Sequence, residues 1–110
     1  MSILIEITEG WTWELGPFIC KSDGVSIDLT GLTTELVLRN ASGTPVVFGG
    51  TVRIDADQVT NPGYWYFTPD ADTFVAGKYP YKMHLKVSDS NDNVVFFPNG
   101  QPYEIAVWPA

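Results

Sequence analysis

Apolar and polar residues alternate along most of this chain, with the period of two that is typical of β-strands. Near the start, Ile3, Ile5 and Ile7 share one predicted face, and the segment 78–87 alternates in the same way. Clusters of Gly, Pro, Asn, Asp and Ser interrupt the alternation at short intervals. This pattern predicts about eight short strands joined by turns.

Helical periodicity is nearly absent, and the closest candidate is a single turn over Asp70–Val75. We therefore predict an all-β fold, namely an immunoglobulin-like antiparallel β-sandwich formed by a single domain over residues 1–110. A small closed β-barrel is the alternative that the same pattern permits. The segment 77–79 lies where sandwiches often have a tyrosine corner, in which a Tyr hydroxyl bonds back to the crossing backbone.

Two predicted strands carry signs of an edge position. The extended stretch 11–20 contains Gly16-Pro17, and a proline cannot donate to a strand ladder. The first strand, Ile3–Thr8, is predicted to be able to pair with another strand along its free side. A further short strand is predicted at Val46–Phe48, between two turn sequences.

The composition favours a globular protein and excludes some partners. Hydrophobic residues make up 45% of the 110 residues and aromatic residues 14%, which is enough for a packed core. The net charge of −7 argues against nucleic acid, because binding phosphates requires clustered Lys and Arg. The opening segment MSILIEITEG lacks a basic region, and its apolar part is too short for a signal peptide or a membrane span. We expect a soluble protein made in the cytoplasm, with no membrane partner.

No constellation of residues indicates catalysis. The chain has one cysteine, Cys20, and one histidine, His84, and neither has an adjacent partner in a catalytic motif. The carboxylates at Asp55, Asp57 and the segment 70–72 fall in turns or on polar strand faces, which is typical of solvated surface charge. We predict that the protein is not an enzyme and that it uses no cofactor.

The segment Asp89–Asn93 reads D-S-N-D-N and resembles the calcium-binding linker of cadherins. Its oxygen atoms suit a hard cation, which takes six to eight ligands. In cadherins, however, acidic segments from a neighbouring repeat complete the site, and this chain lacks them. Asn and Asp are also the residues that hairpin tips select for their backbone conformation. The segment is therefore interpreted as a turn, and no metal site is predicted.

Aromatic residues are the strongest indication of a binding surface. The chain has more large aromatic side chains than a small core can hide on both faces of its strands, and they include Trp11, Trp13, Trp65 and Trp108. Tryptophan is enriched at the energetic centres of protein interfaces, and its ring also stacks on sugars. These four residues are the candidate interface residues, and carbohydrate is the alternative ligand.

A series of short motifs resembles the immunoglobulin-like domains of tailed-phage structural proteins, notably the amino-terminal domain of baseplate upper proteins. The motifs span nearly the whole chain and lie mostly at predicted turns. They are E-G-W (Glu9–Trp11), G-x-x-I-D-L-T-G (Gly24–Gly31), L-x-L-R (Leu36–Arg39), D-x-D-T (Asp70–Thr73), G-K-Y-x-Y (Gly77–Tyr81) and N-G (Asn99–Gly100).

The resemblance implies a non-catalytic structural protein of the virion that docks onto other virion proteins. It implies no catalytic residues, and its partners would be baseplate, tail or capsid components. A homo-oligomer is compatible with such a role. The competing hypothesis is a carbohydrate-binding or adhesion module on the same fold, which would use the exposed aromatic residues.

Overall fold

The computed structural model describes residues 3–76, 80–98 and 101–109, and this part of the chain consists of strands and turns. It contains no helix with the length and apolar character needed to cross a bilayer. The all-β prediction is confirmed. The ten strands within these ranges are β1 (Ile3–Thr8), β2 (Leu15–Ile19), β3 (Lys21–Ser22), β4 (Val25–Ser26), β5 (Thr33–Arg39), β6 (Gly50–Ile54), β7 (Tyr64–Pro69), β8 (Tyr81–Ser88), β9 (Val94–Phe97) and β10 (Tyr103–Trp108).

Five strands form the larger sheet, and β8 is its centre. β5 pairs with one side of β8, while β9 and then β10 pair with the other side. β1 pairs with β10 in parallel, from Ile3 opposite Tyr103 to Thr8 opposite Trp108. All other strand pairs among the described residues are antiparallel. The parallel pair is therefore the one departure from the predicted antiparallel arrangement in this part of the chain.

The register along β8 changes between its two neighbours on that side. Leu85 lies opposite Phe97, whereas Met83 lies opposite Tyr103. The chain thus moves two residues along β8 but six along the returning segment. β9 and β10 are consequently two separate neighbours of β8 and not one continuous strand.

The smaller sheet has the order β2-β7-β6, so β2 lies at an edge as predicted. Its pairing with β7 is irregular between Leu15 and Phe18, where Gly16 and Pro17 interrupt the ladder. β3 and β4 form a separate two-stranded hairpin.

The strand orders identify the sandwich. The orders β2-β7-β6 and β5-β8-β9/β10 match strands B-E-D and C-F-G of immunoglobulin domains. No strand pair among the described residues joins the two sheets, so the alternative of a closed barrel is wrong. The prediction of an immunoglobulin-like sandwich is confirmed.

The core lies between the two sheets. β5, β7 and β8 direct alternate residues into it, whereas β10 buries three consecutive residues, Ile105–Val107. Along β8 buried and half-buried residues alternate without exception, with Met83 and Leu85 fully buried. Aromatic rings join the sheets, because Phe18 of β2 lies 4.6 Å from Trp65 and 4.8 Å from Tyr103 between ring centroids. Burying large side chains in this way supplies most of the free energy of folding.

The predicted strand Val46–Phe48 is wrong. The structure has only an isolated bridge between Arg39 and Pro45 and one bond from Val46 N–H to the Leu38 carbonyl at 2.9 Å. The chain crosses here from the larger sheet to the smaller one, so these residues have no partner strand to follow.

The segment predicted to form one helical turn is a hydrogen-bonded turn between β7 and β8. Thr73 N–H donates to the Asp70 carbonyl at 3.1 Å, and the Thr73 hydroxyl donates to the Gly49 carbonyl at 2.6 Å. Phe74 is buried against Phe67 and Tyr81. The turn therefore closes one end of the core.

A tyrosine corner-type contact is present, but at a different residue from the predicted one. The Tyr81 hydroxyl accepts a hydrogen bond from Val75 N–H at 3.2 Å, across the connection that leads into β8. The predicted segment 77–79 lies outside the described residues. Tyr81 thus performs the role expected for a tyrosine at the start of strand F.

We expect Tyr81→Phe to lower the free energy of unfolding by about 1 kcal/mol, because the part-buried Val75 N–H loses its acceptor. Tyr64→Phe is the matched control, since the hydrogen bonds of Tyr64 found among the described residues involve its backbone and not its hydroxyl. Urea denaturation of both variants checks the difference. Equal losses in the two variants would contradict the role given to the Tyr81 hydroxyl.

Candidate interaction surface

The four candidate tryptophans occupy different environments. Trp65 is fully buried in the core, and its indole Nε1 has no hydrogen-bond acceptor in the described part of the chain. The expectation that Trp65 is exposed at an interface is therefore wrong. Its parity on β7 directs it between the sheets, whereas Tyr64 and Tyr66 take the outer side.

Trp11 and Trp13 lie together in the segment between β1 and β2. Trp11 Nε1 donates to the Trp13 carbonyl at 3.0 Å, and the two ring centroids are 6.2 Å apart with the planes tilted by 57°. Trp11 packs partly against the core, whereas Trp13 is 77% exposed. One indole thus supports the backbone that presents the other to solvent.

Trp108 ends β10 close to the beginning of the same segment. Thr8 pairs with Trp108, and Glu9 N–H donates to the Trp108 carbonyl at 2.9 Å. Trp108 is 47% exposed. The backbone therefore brings three of the four predicted residues to one end of the sandwich. We name the set Trp11, Trp13 and Trp108 the tryptophan end.

The segment that carries Trp11 and Trp13 is attached at both of its ends. Gly10 N–H donates to the Phe74 carbonyl and the Glu9 carboxylate accepts from Ala76 N–H, each at 3.4 Å. At the other end, Glu14 accepts two hydrogen bonds from Arg53, at 2.9 and 3.1 Å.

Arg53 is itself held in place from the opposite side. Its guanidinium carbon lies 3.9 Å from the centroid of the Tyr66 ring. Hydrogen bonding with Arg53 holds the pKa of the exposed Glu14 carboxyl below its ordinary value. The tryptophan segment is therefore positioned by contacts to both sheets before any ligand binds.

A hollow of about 290 Å³ opens along this segment. It is lined by residues 8–13, a set that includes two tryptophans, two threonines and Glu9. Trp108 does not line this hollow. The hollow combines flat apolar surface with hydrogen-bonding groups, a combination that binding sites use to fix both affinity and orientation.

Cys20 and His84, the residues considered for nucleophilic chemistry, lie on opposite sides of the larger sheet. Cys20 is fully buried in the core, and burial raises the pKa of its thiol to about 12 despite the nearby Trp65 indole. His84 lies on the outer face, with its ring 6.1 Å from that of Phe96. A thiol this buried is protonated at neutral pH and has no access to a substrate.

The acidic turns use their carboxylates to hold the backbone. Asp89 Oδ1 accepts from the N–H groups of Asn91 and Asn93 at 2.8 and 3.0 Å, and its Oδ2 accepts from Asn93 Nδ2. These bonds, the Asn93 side chain first, hold the pKa of Asp89 below its ordinary value. Groups of three or more His, Cys, Asp or Glu side chains arranged to bind a metal are absent from the described residues. Asp89 therefore serves the β8–β9 turn.

One exposed apolar segment was missed by the sequence reasoning. Val94, Val95 and Phe96 of β9 are 44%, 43% and 44% exposed. The available signal was the run of four apolar residues, Val94–Phe97, which places apolar side chains on both faces of the strand.

Comparison of this chain with protein-family models, with curated proteins and with solved structures gave no match. The resemblance of its turn motifs to phage virion domains therefore stays a prediction. The fold and the geometry of the exposed surfaces are the basis for assigning a function.

We expect the free energy of unfolding to fall as the pH rises from 9.0 towards about 12, because Cys20 ionises in the unfolded chain but stays protonated in the folded one. The slope from one such group is about 1.4 kcal/mol per pH unit. Tyr103, whose pKa burial raises from 10.0 to about 12, adds to the loss above pH 10.0.

Urea denaturation at a series of alkaline pH values measures this slope. Cys20→Ala removes the thiol, so its stability should change little until Tyr103 and the other tyrosines of the unfolded chain begin to ionise. Identical slopes for the wild type and Cys20→Ala just above pH 9.0 would show that the Cys20 thiol is not shielded as the structure indicates.

Proposed function

We propose that this protein is a non-catalytic structural module of a phage virion that docks onto other virion proteins through its tryptophan end. The observation that carries the proposal is the position of Trp13, which is 77% exposed yet stands on a segment attached to both sheets. The resemblance of the turn motifs to those of phage virion domains supports this class of assembly.

The rigidity of the tryptophan segment favours binding to a protein. Ordering a loop or a long side chain on association costs free energy, and a segment that is already fixed avoids most of that cost. Trp is also the residue type most often found at interface positions that dominate affinity. An exposed Trp on a preorganised segment therefore fits a docking contact better than an incidental surface residue.

The positions of the reactive and charged side chains agree with a binding role. The buried Cys20 and the outward-facing His84 cannot meet, because the larger sheet separates them. The carboxylates of Asp55, Asp57 and Asp89 accept hydrogen bonds from their own turns. These side chains stabilise the scaffold that presents Trp13.

Carbohydrate binding is the second candidate function, and the hollow beside Trp13 favours it. A sugar ring could stack on the exposed indole while the Thr12 hydroxyl and the Glu9 carboxylate bind its hydroxyl groups. Such a function would use the same indole, so the same variant tests both candidates.

We expect Trp13→Ala to weaken binding to the partner virion protein by at least about tenfold, while the free energy of unfolding changes by less than about 0.5 kcal/mol. The partners to test are the purified products of the genes that flank its own, among which the proposal expects capsid, tail or baseplate proteins. Isothermal titration calorimetry measures the affinity, and thermal denaturation measures the stability.

Val59→Ala is the control, since Val59 is 92% exposed in a turn away from the tryptophan segment and should leave binding unchanged. Binding of polysaccharides on a glycan array, lost in Trp13→Ala, would assign the carbohydrate function instead. Full binding of the virion protein by Trp13→Ala would contradict docking through the tryptophan end.

A further inference from the structure

β9 leaves one side of its backbone without a partner strand. Among the described strands it pairs with β8 alone, and β1 covers only the following strand, β10. Asp89 N–H donates to the Asn93 carbonyl at 3.1 Å, which fixes the order of bonded and non-bonded pairs along this antiparallel ladder. By that alternation, the N–H and C=O groups of Val95 and Phe97 point towards β8. Those of Val94 and Phe96 point to the open side.

The open side of β9 lacks the features that protect the other sheet edges. Proteins protect edge strands by keeping them very short, by placing charged residues or proline on them, or by a bulge. β1 carries Glu6, β2 carries Gly16-Pro17, β5 carries Glu35 and Arg39, and β6 carries Arg53. Among the described edge strands of four or more residues, β9 is the one without a charged residue, a proline or a bulge, and its short length of four residues is the protection that it has.

We infer that β9 is a self-association site, at which β9 of a second copy of this chain pairs antiparallel with it about a two-fold axis. In this register Val95 lies opposite Val95 of the second copy, and Val94 lies opposite Phe96 of the second copy on both sides of the axis. The outward N–H and C=O groups of Val94 and Phe96 then meet their counterparts and complete two bonded pairs. The two larger sheets become one continuous sheet. The inference goes beyond the proposed function and does not rest on it.

The side chains support the same register. Val94 and Phe96 are on the outer face, where Phe96 lies opposite Lys86 within the chain and next to the His84 ring. Pairing places Val94 of one copy against Phe96 of the other, an aliphatic–aromatic cross-strand contact. On the inner face, the two Val95 side chains meet beside the hollow that Val95, Phe97 and Leu32 line at the open margin of the sandwich.

The distribution of charge favours pairing of two copies through β9 over pairing through the other sheet edges. The chain has a net charge of −7, so two copies repel each other unless they meet where no like charges face. β9 itself is uncharged, and the adjacent Lys86 lies opposite Glu35 on β5. In the proposed register Asp92 lies opposite Pro98 of the second copy, so the acidic hairpin tips do not face each other.

The contact is small, which sets its expected strength. Stable interfaces bury about 800 Å² on each partner, and pairing of a four-residue strand buries less than that. We therefore expect a weak, reversible dimer. Its association should strengthen with added salt, because salt screens the repulsion between two copies of charge −7 and no ion pair holds them together.

A cysteine cross-link tests the register directly. In Val95→Cys, the two introduced thiols belong to a non-bonded antiparallel pair, with Cα atoms about 4.5 Å apart, which is within the range that a disulfide spans. Under mild oxidation we expect covalent dimers at least about tenfold faster than in Val47→Cys, a control at a fully exposed position. The native Cys20 is buried and does not compete. Equal rates for the two variants would overturn the inference.

A backbone variant separates strand pairing from general hydrophobic contact. Phe96→Pro removes the outward N–H, while Phe96→Ala removes the ring and keeps that N–H. Sedimentation velocity over a range of protein concentrations should show dimers in the wild type, fewer in Phe96→Ala and none in Phe96→Pro. Val94→Lys should also abolish dimers, and it does so without a backbone change. Wild-type sedimentation that does not vary with concentration, or dimers that persist in Phe96→Pro or weaken with salt, would contradict the proposed pairing.

Discussion

The packing of aromatic rings between the two sheets is the interaction on which the rest of this structure depends. Phe18, Trp65 and Tyr103 are in mutual contact, and they join the smaller sheet to the larger one. Phe74 and Tyr81 extend the same cluster to one end of the sandwich. Removal of large rings from a close-packed core leaves cavities that neighbouring side chains cannot fill, so these residues determine the distance between the sheets.

The core also determines the structure of the turns. Wherever the chain passes from one sheet to the other, its backbone N–H and C=O groups need hydrogen-bond partners, and polar side chains provide them. Gln58 illustrates this: its buried Oε1 accepts from the N–H groups of Leu29 and Gly63 at 3.0 and 2.9 Å. Its Nε2 donates to the Asp55 carbonyl at 2.9 Å. Turns fixed in this way keep their conformation without the support of a ligand, as the Asp89 turn before β9 also does.

Much of the fold could be predicted from the sequence, because a strand with one buried face alternates between apolar and polar residues. β8 is the clearest example, and the Gly16-Pro17 pair also marked β2 correctly as an edge. Alternation does not identify the inward face of a strand whose residues are apolar on both faces. In β7 the four aromatic residues 64–67 do not show which parity faces inward, so Trp65 remained a candidate interface residue. Val46–Phe48 failed for another reason, since its structure depends on which sheet the chain enters next.

The candidate site was predictable only in part, since the exposure of a side chain depends on which residues pack against it, and the sequence alone does not show this. Trp11 and Trp13 were identified by residue type, but the hydrogen bond that makes one support the other depends on the path of the backbone. The β9 edge was missed because its neighbour on the open side is determined by the parallel pairing of β1 with β10, which alternation does not reveal.

That parallel pairing also determines how the protein responds to force. Since β1 and β10 run side by side in the same direction, the chain enters the first strand at one end of the sheet and leaves the last strand at the other end. Tension applied through the two ends therefore pulls along the strands and loads their hydrogen bonds in shear, all at once. An antiparallel pair would open one bond at a time from its end. Resistance to forced unfolding is set by the rate of such rupture, so we expect this pairing to strengthen the sandwich against tension along its strand axis.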